Sequence, residues 1–261
     1  MKSYIYLFFI LISSSVFSQQ TSVITINPNF DAEIITGDIL GNIYMVKGSE
    51  LFKYDEKGIL CCSFSDKTYG EISSVDVRDP LRILLFYKPF AIVRLLDNKL
   101  AEQSLIDLRK LQLADPLLVC TSETQGMWVY DNATSRLYKY DAALQPVSLS
   151  NDLRQDIMHT INPTFMAESD YWLVMLDKNA LLVFDKMGSY FKPLTIENGN
   201  GGLLVHDEWI FVNKSLLVKI NIRNGKITEN ALPFSDTEGS THILPGKIVR
   251  SLDKKVEIYS N

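Results

Sequence analysis

Cysteine and histidine are both scarce, at three residues each in 261. An odd count of three cysteines excludes a disulfide scaffold. Cys61 and Cys62 are neighbours in an apparent strand, so their side chains point to opposite faces, and Cys120 lies in a different part of the chain. All three are expected to be buried free thiols. His206 and His242 facing the channel could hold a metal only with a third ligand at zinc-binding spacing, and the sequence offers none. No metal and no cofactor are therefore expected. Blocks of basic residues are also missing, and the formal net charge is −5. Without clustered Lys and Arg to neutralise phosphates, nucleic acid and anionic membrane surfaces are excluded as partners. The chain has no G-x-S-x-G elbow, no Walker loop and no G-x-G-x-x-G fingerprint. Asn198-Gly199-Asn200-Gly201-Gly202 is glycine-rich but lacks a following lysine or helix, and reads as a turn.

Long apolar runs are missing as well. The one near the start, Tyr4 to Ile12, follows Lys2 and precedes Val16-Phe17-Ser18. It is too short for the roughly 20 residues that cross a bilayer. Residues 1–18 read as a cleaved secretory signal and residues 19–261 as one domain. The expected address is the periplasm, with the extracellular space as the alternative and no direct membrane span.

What the chain does have is repetition. Leu51-Phe52-Lys53-Tyr54-Asp55 returns as Val93-Arg94-Leu95-Leu96-Asp97 and as Leu137-Tyr138-Lys139-Tyr140-Asp141. It returns again as Leu182-Val183-Phe184-Asp185, Leu217-Val218-Lys219-Ile220-Asn221 and Val256-Glu257-Ile258-Tyr259-Ser260. The intervals of 42, 44, 44, 36 and 39 residues are those of propeller blades. Each repeat divides into short β-rich runs separated by turn signals, which indicates an all-β fold. Trp128, Trp172 and Trp209 lie 13, 13 and 12 residues before the closing Asp or Asn. They are expected at one equivalent place, all buried between blades. The sixth repeat stops after three strands, whereas Ser22-Val23-Ile24-Thr25-Ile26 is a spare strand. An unclosed ring would leave pairing edges exposed. The expected fold is therefore a six-bladed β-propeller closed by an N-terminal strand, with five or seven blades as alternatives.

The regular positions are expected to be structural. Acids near the first inner turn, at Asp38, Asp79, Glu123, Asp170 and Asp207, recur too often to form one catalytic pair. Function is left to the parts that do not repeat, the long connections 101–116 and 148–164. These contain the echo Asp107-Leu108-Arg109 and Asp152-Leu153-Arg154, each a candidate helical turn. Strand counting puts Tyr69, Phe90, Arg109, Arg154 and His159 on one rim as candidate partner contacts. No catalytic residue is assigned. The competing reading is a carbohydrate-active or small-molecule enzyme, or a lectin, working at the channel mouth.

The run Asp38-Ile39-Leu40-Gly41-Asn42-Ile43-Tyr44, followed by the phrase ending at Asp55 and by Gly58, resembles bacterial propeller blades of the NHL or quinoprotein-like type. The sialidase Asp-box, the quinoprotein tryptophan-docking motif and the acidic metal set of gluconolactonase-like propellers are absent. The signal ending Val16-Phe17-Ser18-Gln19-Gln20 and the segment from Ser74 to Lys88 look like periplasmic propellers of Bacteroidota associated with type IX secretion and gliding. That resemblance implies a non-catalytic scaffold that binds protein partners in a cell-envelope assembly.

Overall fold

The computed structural model describes residues 22–158, 160–196, 201–234 and 238–260. The expected leader, residues 1–18, lies outside them, as does His159. Among the described residues no helix is long and apolar enough to cross a membrane.

The chain forms six four-stranded antiparallel sheets arranged as blades around a channel. After β1 (Ser22–Ile26), blade 1 comprises β2 (Ile34–Gly37), β3 (Ile43–Lys47), β4 (Glu50–Tyr54) and β5 (Leu60–Ser65). Blade 2 is β6 (Ser74–Asp76), β7 (Ile83–Tyr87), β8 (Ile92–Leu96) and β9 (Glu102–Asp107). Blade 3 is β10 (Pro116–Thr121), β11 (Met127–Asp131), β12 (Arg136–Tyr140) and β13 (Pro146–Leu149). Helix α1 (Leu153–Ile157) leads to blade 4, which is β14 (Phe165–Glu168), β15 (Leu173–Asp177), β16 (Ala180–Phe184) and β17 (Tyr190–Thr195). Blade 5 is β18 (Leu203–Val205), β19 (Glu208–Asn213), β20 (Leu216–Asn221) and β21 (Ile227–Ala231). Blade 6 is β22 (Ser240–Leu244), β23 (Lys247–Leu252) and β24 (Lys255–Ser260), completed on its outside by β1.

Because the strands alternate in direction, the ring has two faces. The connections between blades and the turns between second and third strands crowd one, the connection face. The turns after the first and third strands crowd the other, the turn face. The repeated phrase is the third strand running into the turn face. Its Asp is a turn device: Asp55 Oδ1 accepts the N–H groups of Lys57 (2.9 Å) and Ile59 (2.8 Å), and Asp185 Oδ1 those of Met187 (2.8 Å) and Ser189 (2.9 Å). Each such turn needs a left-handed residue, supplied by Gly58 and Gly188 but by Leu100 and Leu144 in blades 2 and 3. Gly188 has φ +80°, and a Cβ there would meet the Trp128 ring at 3.2 Å. Gly188→Ala is expected to cost roughly 1–3 kcal/mol, read by urea unfolding; an unchanged midpoint would refute this account of the turn.

The lysine within the phrase also has a structural use. Lys53 Nζ donates to the Asn98 carbonyl at 2.7 Å, and Lys139 Nζ to the Lys186 carbonyl at 3.4 Å. Each thereby clamps the corresponding turn of the next blade.

The tryptophans do not share one place. Trp128 pairs across the hairpin with Lys139 and Trp209 with Ile220, whereas Trp172 precedes β15, whose first residue pairs with Phe184. Linear spacing hides this, because four residues bridge Asp131 to Arg136 but only two bridge Asp177 to Ala180. A one-residue slip turns a side chain to the opposite face. Trp128 accordingly packs into the junction of blades 3 and 4, and Trp209 into that of blades 4 and 5. Both are fully buried, but Trp172 is only half-buried. All three cysteines are free and Cys120 is buried as expected, but Cys62 is half-buried and Cys61 exposed on β5.

Candidate functional site

On the connection face, Asp107 and Asp152 cap short helical turns through the N–H groups of Arg109 (3.1 Å) and Arg154 (3.0 Å). Each aspartate is also gripped by its own arginine. Arg109 Nε and Nη2 reach Asp107 at 2.8 and 2.9 Å; Arg154 Nε and Nη2 reach Asp152 at 2.8 and 2.6 Å. These hydrogen bonds hold both carboxyls below the usual carboxylate range. The echo in sequence is therefore an i, i+2 fork that presents a fixed, exposed guanidinium from two successive connections.

Tyr69 and Phe90 meet beside Arg109. Their ring centroids lie 5.8 Å apart, and Tyr69 also packs on Tyr87 at 5.7 Å. Under them the Arg94 guanidinium is enclosed by Phe64, Tyr69 and Tyr87 at 5.1, 5.7 and 5.9 Å. It is anchored to Asp66 (2.5 Å) and Glu102 (3.2 Å). Burial pushes the Tyr87 phenol up to about 12. Tyr69 is thus half-buried as the lid of this stack, while Phe90 stays 44% exposed. The structure brings Tyr69, Phe90 and Arg109 together. Arg154 stands one blade further on, and His159 is outside the described residues.

The turn face holds a second cluster. Glu168 is fully buried, and its Oε1 accepts from Trp128 Nε1 (2.9 Å) and Lys139 Nζ (3.1 Å), with Lys186 Nζ at 3.2 Å. Its Oε2 accepts from the Glu123 N–H at 2.7 Å. Burial opposes the charge, but these partners hold the carboxyl below its usual range. Lys186 continues to Glu123 Oε2 at 3.0 Å. Burial, aided by a hydrogen bond to Asp170, pushes the Glu123 carboxyl up, whereas that bond and His206 hold Asp170 down. His206 Nδ1 lies 2.6 Å from Asp170 Oδ2, and its side chain is 69% exposed. At the floor of the channel, Arg78 forks onto Asp76 (Nε–Oδ1 3.0 Å, Nη2–Oδ2 2.5 Å) and donates to the carbonyls of Thr121 and Glu168.

Asp38 and Asp79 fit the expected turn role, bonding the N–H groups of Leu40 (2.9 Å) and Leu81 (3.0 Å). Glu123, Asp170 and Asp207 instead link blades, Asp207 by accepting from Trp172 Nε1 at 2.8 Å. His206 sits just after β18 on the turn face and His242 within β22 on the channel wall, so the two do not converge. Among the described residues no three His, Cys, Asp or Glu side chains gather to hold a metal. The channel contains a cavity of about 700 Å³ toward the connection face and one of about 140 Å³ toward the turn face.

No family model matches the chain, and no curated protein matches it in sequence. Solved structures do. A streptogramin B lyase is 14% identical with a TM-score of 0.59, covering 92% of this chain and 87% of its own. A chain of a mitotic checkpoint complex is 9% identical with a TM-score of 0.61, covering 99% of both. The C-terminal WD40 domain of Sif2 is 10% identical with a TM-score of 0.53, covering 85% of this chain and 78% of its own. At such identities the likeness speaks of architecture alone, and by its six blades and these neighbours the chain is a β-propeller.

Proposed function

We propose that this protein is an exported, non-catalytic scaffold that binds a protein partner in a cell-envelope assembly, with an accessory role in type IX secretion as its setting. The observation that carries the reading is the connection-face rim. Phe90 projects from a rigid stack of aromatic rings closed over Arg94, beside the Arg109 guanidinium, and Arg154 repeats that fork one blade further on, each held in place by its own aspartate. Exposed aromatic and arginine side chains that need little ordering on association are what interface hot spots are made of. The periplasmic address rests on the signal-like residues 1–18, and the secretion setting on the resemblance of the segment from Ser74 to Lys88. A propeller serving in a mitotic checkpoint complex supports a scaffold by analogy of fold only.

The test is crosslinked co-purification from envelope extracts, comparing the native protein with an Arg109→Ala/Arg154→Ala double variant. The variant is expected to keep its fold and to recover at least about tenfold less of a stoichiometric partner. Equal recovery, or no stoichiometric partner at all, would defeat the reading.

A second reading, a small-molecule enzyme, is favoured by the Asp170–His206 pair, since a carboxylate on Nδ1 orients the imidazole as a base. The streptogramin B lyase neighbour belongs to the same architecture. Against it, His206 lies on open surface. Glu123 and Asp170 are also hydrogen-bonded to each other, closer than the about 5 Å that separates the carboxyls of retaining glycosidases.

A further inference from the structure

The six blade junctions are not equal. Among the described residues, buried apolar clusters seal the junctions of blades 1–2, 2–3, 3–4, 4–5 and 6–1. No such cluster seals the junction of blades 5 and 6. There the facing residues Ile210, Val212 and Leu217 of blade 5 are half-buried. Blade 6 answers with Ile248 and with polar and aromatic groups: Tyr259 against Phe234 at 5.1 Å, and Arg250 over the Phe234 ring at 5.4 Å. The cavity of about 700 Å³ opens beside this junction, and its wall includes Val212, Leu232, Phe234 and the start of β22. The size lies within the range of small-molecule sites, roughly 300–1,000 Å³.

We infer that this channel mouth is a binding site for a neutral saccharide of one or two rings. Phe165 and Phe234 supply apolar faces on which the C–H face of a sugar can lie, and Ser74, Ser240 and Thr241 supply hydroxyls for its edge. His242 belongs to the same wall, with Nε2 3.0 Å from Ser240 Oγ, and burial lowers its pKa, so it faces the cavity uncharged near neutral pH. Among the described residues Glu33 and Lys214 are the only charged ones on the wall. A ligand of either strong charge thus has no matching cluster, while a ring with one apolar face and many hydroxyls has both kinds of contact. The site stands whether or not the rim binds a protein.

Trp209 gives the experiment its reporter. Its ring lies behind Gly202 of the cavity wall, where a Cβ would be 2.7 Å from indole Cε2, and 5.6 Å from the Phe165 ring. Its N–H has no acceptor among the described residues, whereas those of Trp128 and Trp172 are bonded to Glu168 and Asp207. Glucose, N-acetylglucosamine, maltose and chitobiose are to be titrated into ¹⁵N-labelled protein while the indole N–H signals are followed by NMR. At least one sugar is expected to shift the Trp209 signal saturably and leave those of Trp128 and Trp172 in place. Phe234→Ala and, separately, Thr241→Val are each expected to weaken that sugar about tenfold or more. The inference fails if no sugar moves the Trp209 signal, or if a neutral aromatic such as indole saturates the site and no sugar does. It fails equally if both variants, folded by their spectra, bind the sugar as the native protein does.

Discussion

Glu168→Gln is expected to lower the melting temperature by roughly 6–20 °C, from a loss of about 3–5 kcal/mol at about 2–4 °C per kcal/mol for a domain of this size. Glu168 is the meeting point of three blades: its carboxylate takes the indole and a lysine of blade 3 and Lys186 of blade 4, and Arg78 of blade 2 reaches its backbone carbonyl. Glutamine keeps an acceptor oxygen but removes the charge. Lys139 then remains buried over the Trp128 ring, 5.0 Å from its centroid, without a carboxylate of its own. A single buried charge left behind is costlier than the pair was favourable. Adding Lys139→Met should therefore return part of the loss, and thermal unfolding of the single and double variants by circular dichroism measures both. A single-variant loss under about 1 kcal/mol would place this network among ordinary surface ion pairs.

Acid should shrink the difference between the native protein and Glu168→Gln. A carboxyl held below its ordinary value of 4.5 contributes fully above that pH and loses its contribution as pH falls through the folded value. Glu123 works the other way: its raised pKa favours the folded state as pH falls from that raised value toward 4.5. Mild acidification is thus expected to be nearly neutral for the native protein, with loss setting in only below about pH 4.5.

The blades were legible in the sequence because their turns demand particular chemistry. Asp55, Asp97, Asp141 and Asp185 each bond two N–H groups of the following turn, so the residue type recurs wherever the turn does. The spare strand was legible because four of the five residues 22–26 are β-branched and blade 6 lacked an outer edge. The Glu168 network was not. Apart from Lys186, its partners lie 29 to 90 residues away along the chain, in other blades, and an acid there looks in sequence like any other acid near a turn. Asp76 shows the same difficulty, since it bonds Thr121 of the next blade rather than its own turn alone. The tryptophans misled because spacing along a hairpin adds the turn to the strands, and only pairing separates them. The open junction of blades 5 and 6 was invisible because Ile210, Val212 and Leu217 are as apolar as residues that are sealed elsewhere.

Removing residues 22–26 is expected to abolish cooperative unfolding and drive the protein into aggregates. β1 pairs with β24 over five residues, from Ser22 with Ser260 to Ile26 with Val256. Ile26 is buried with Ile35, Ile43, Val256 and Ile258 at the junction of blades 6 and 1, and Ile24 packs at its margin. Both also lie against the turn of blade 1, where a Cβ on Gly58 would be 2.9 Å from Ile26 Cγ1 and 3.2 Å from Ile24 Cγ2. One buried and one half-buried isoleucine, at about 1.5–3 kcal/mol for full burial, with several ladder hydrogen bonds at about 1 kcal/mol, give a loss of about 5 kcal/mol. That equals a large part of the total stability of an ordinary domain, about 5–15 kcal/mol. The damage is also topological, because β24 becomes a bare edge able to pair with a second chain. A synthetic peptide of residues 22–28 should restore a single melting transition to the shortened protein, and a peptide with Ile24→Asp and Ile26→Asp should not. Sharp, peptide-independent melting of the shortened chain would mean that the ring is held by its five sealed junctions and that β1 merely covers an edge.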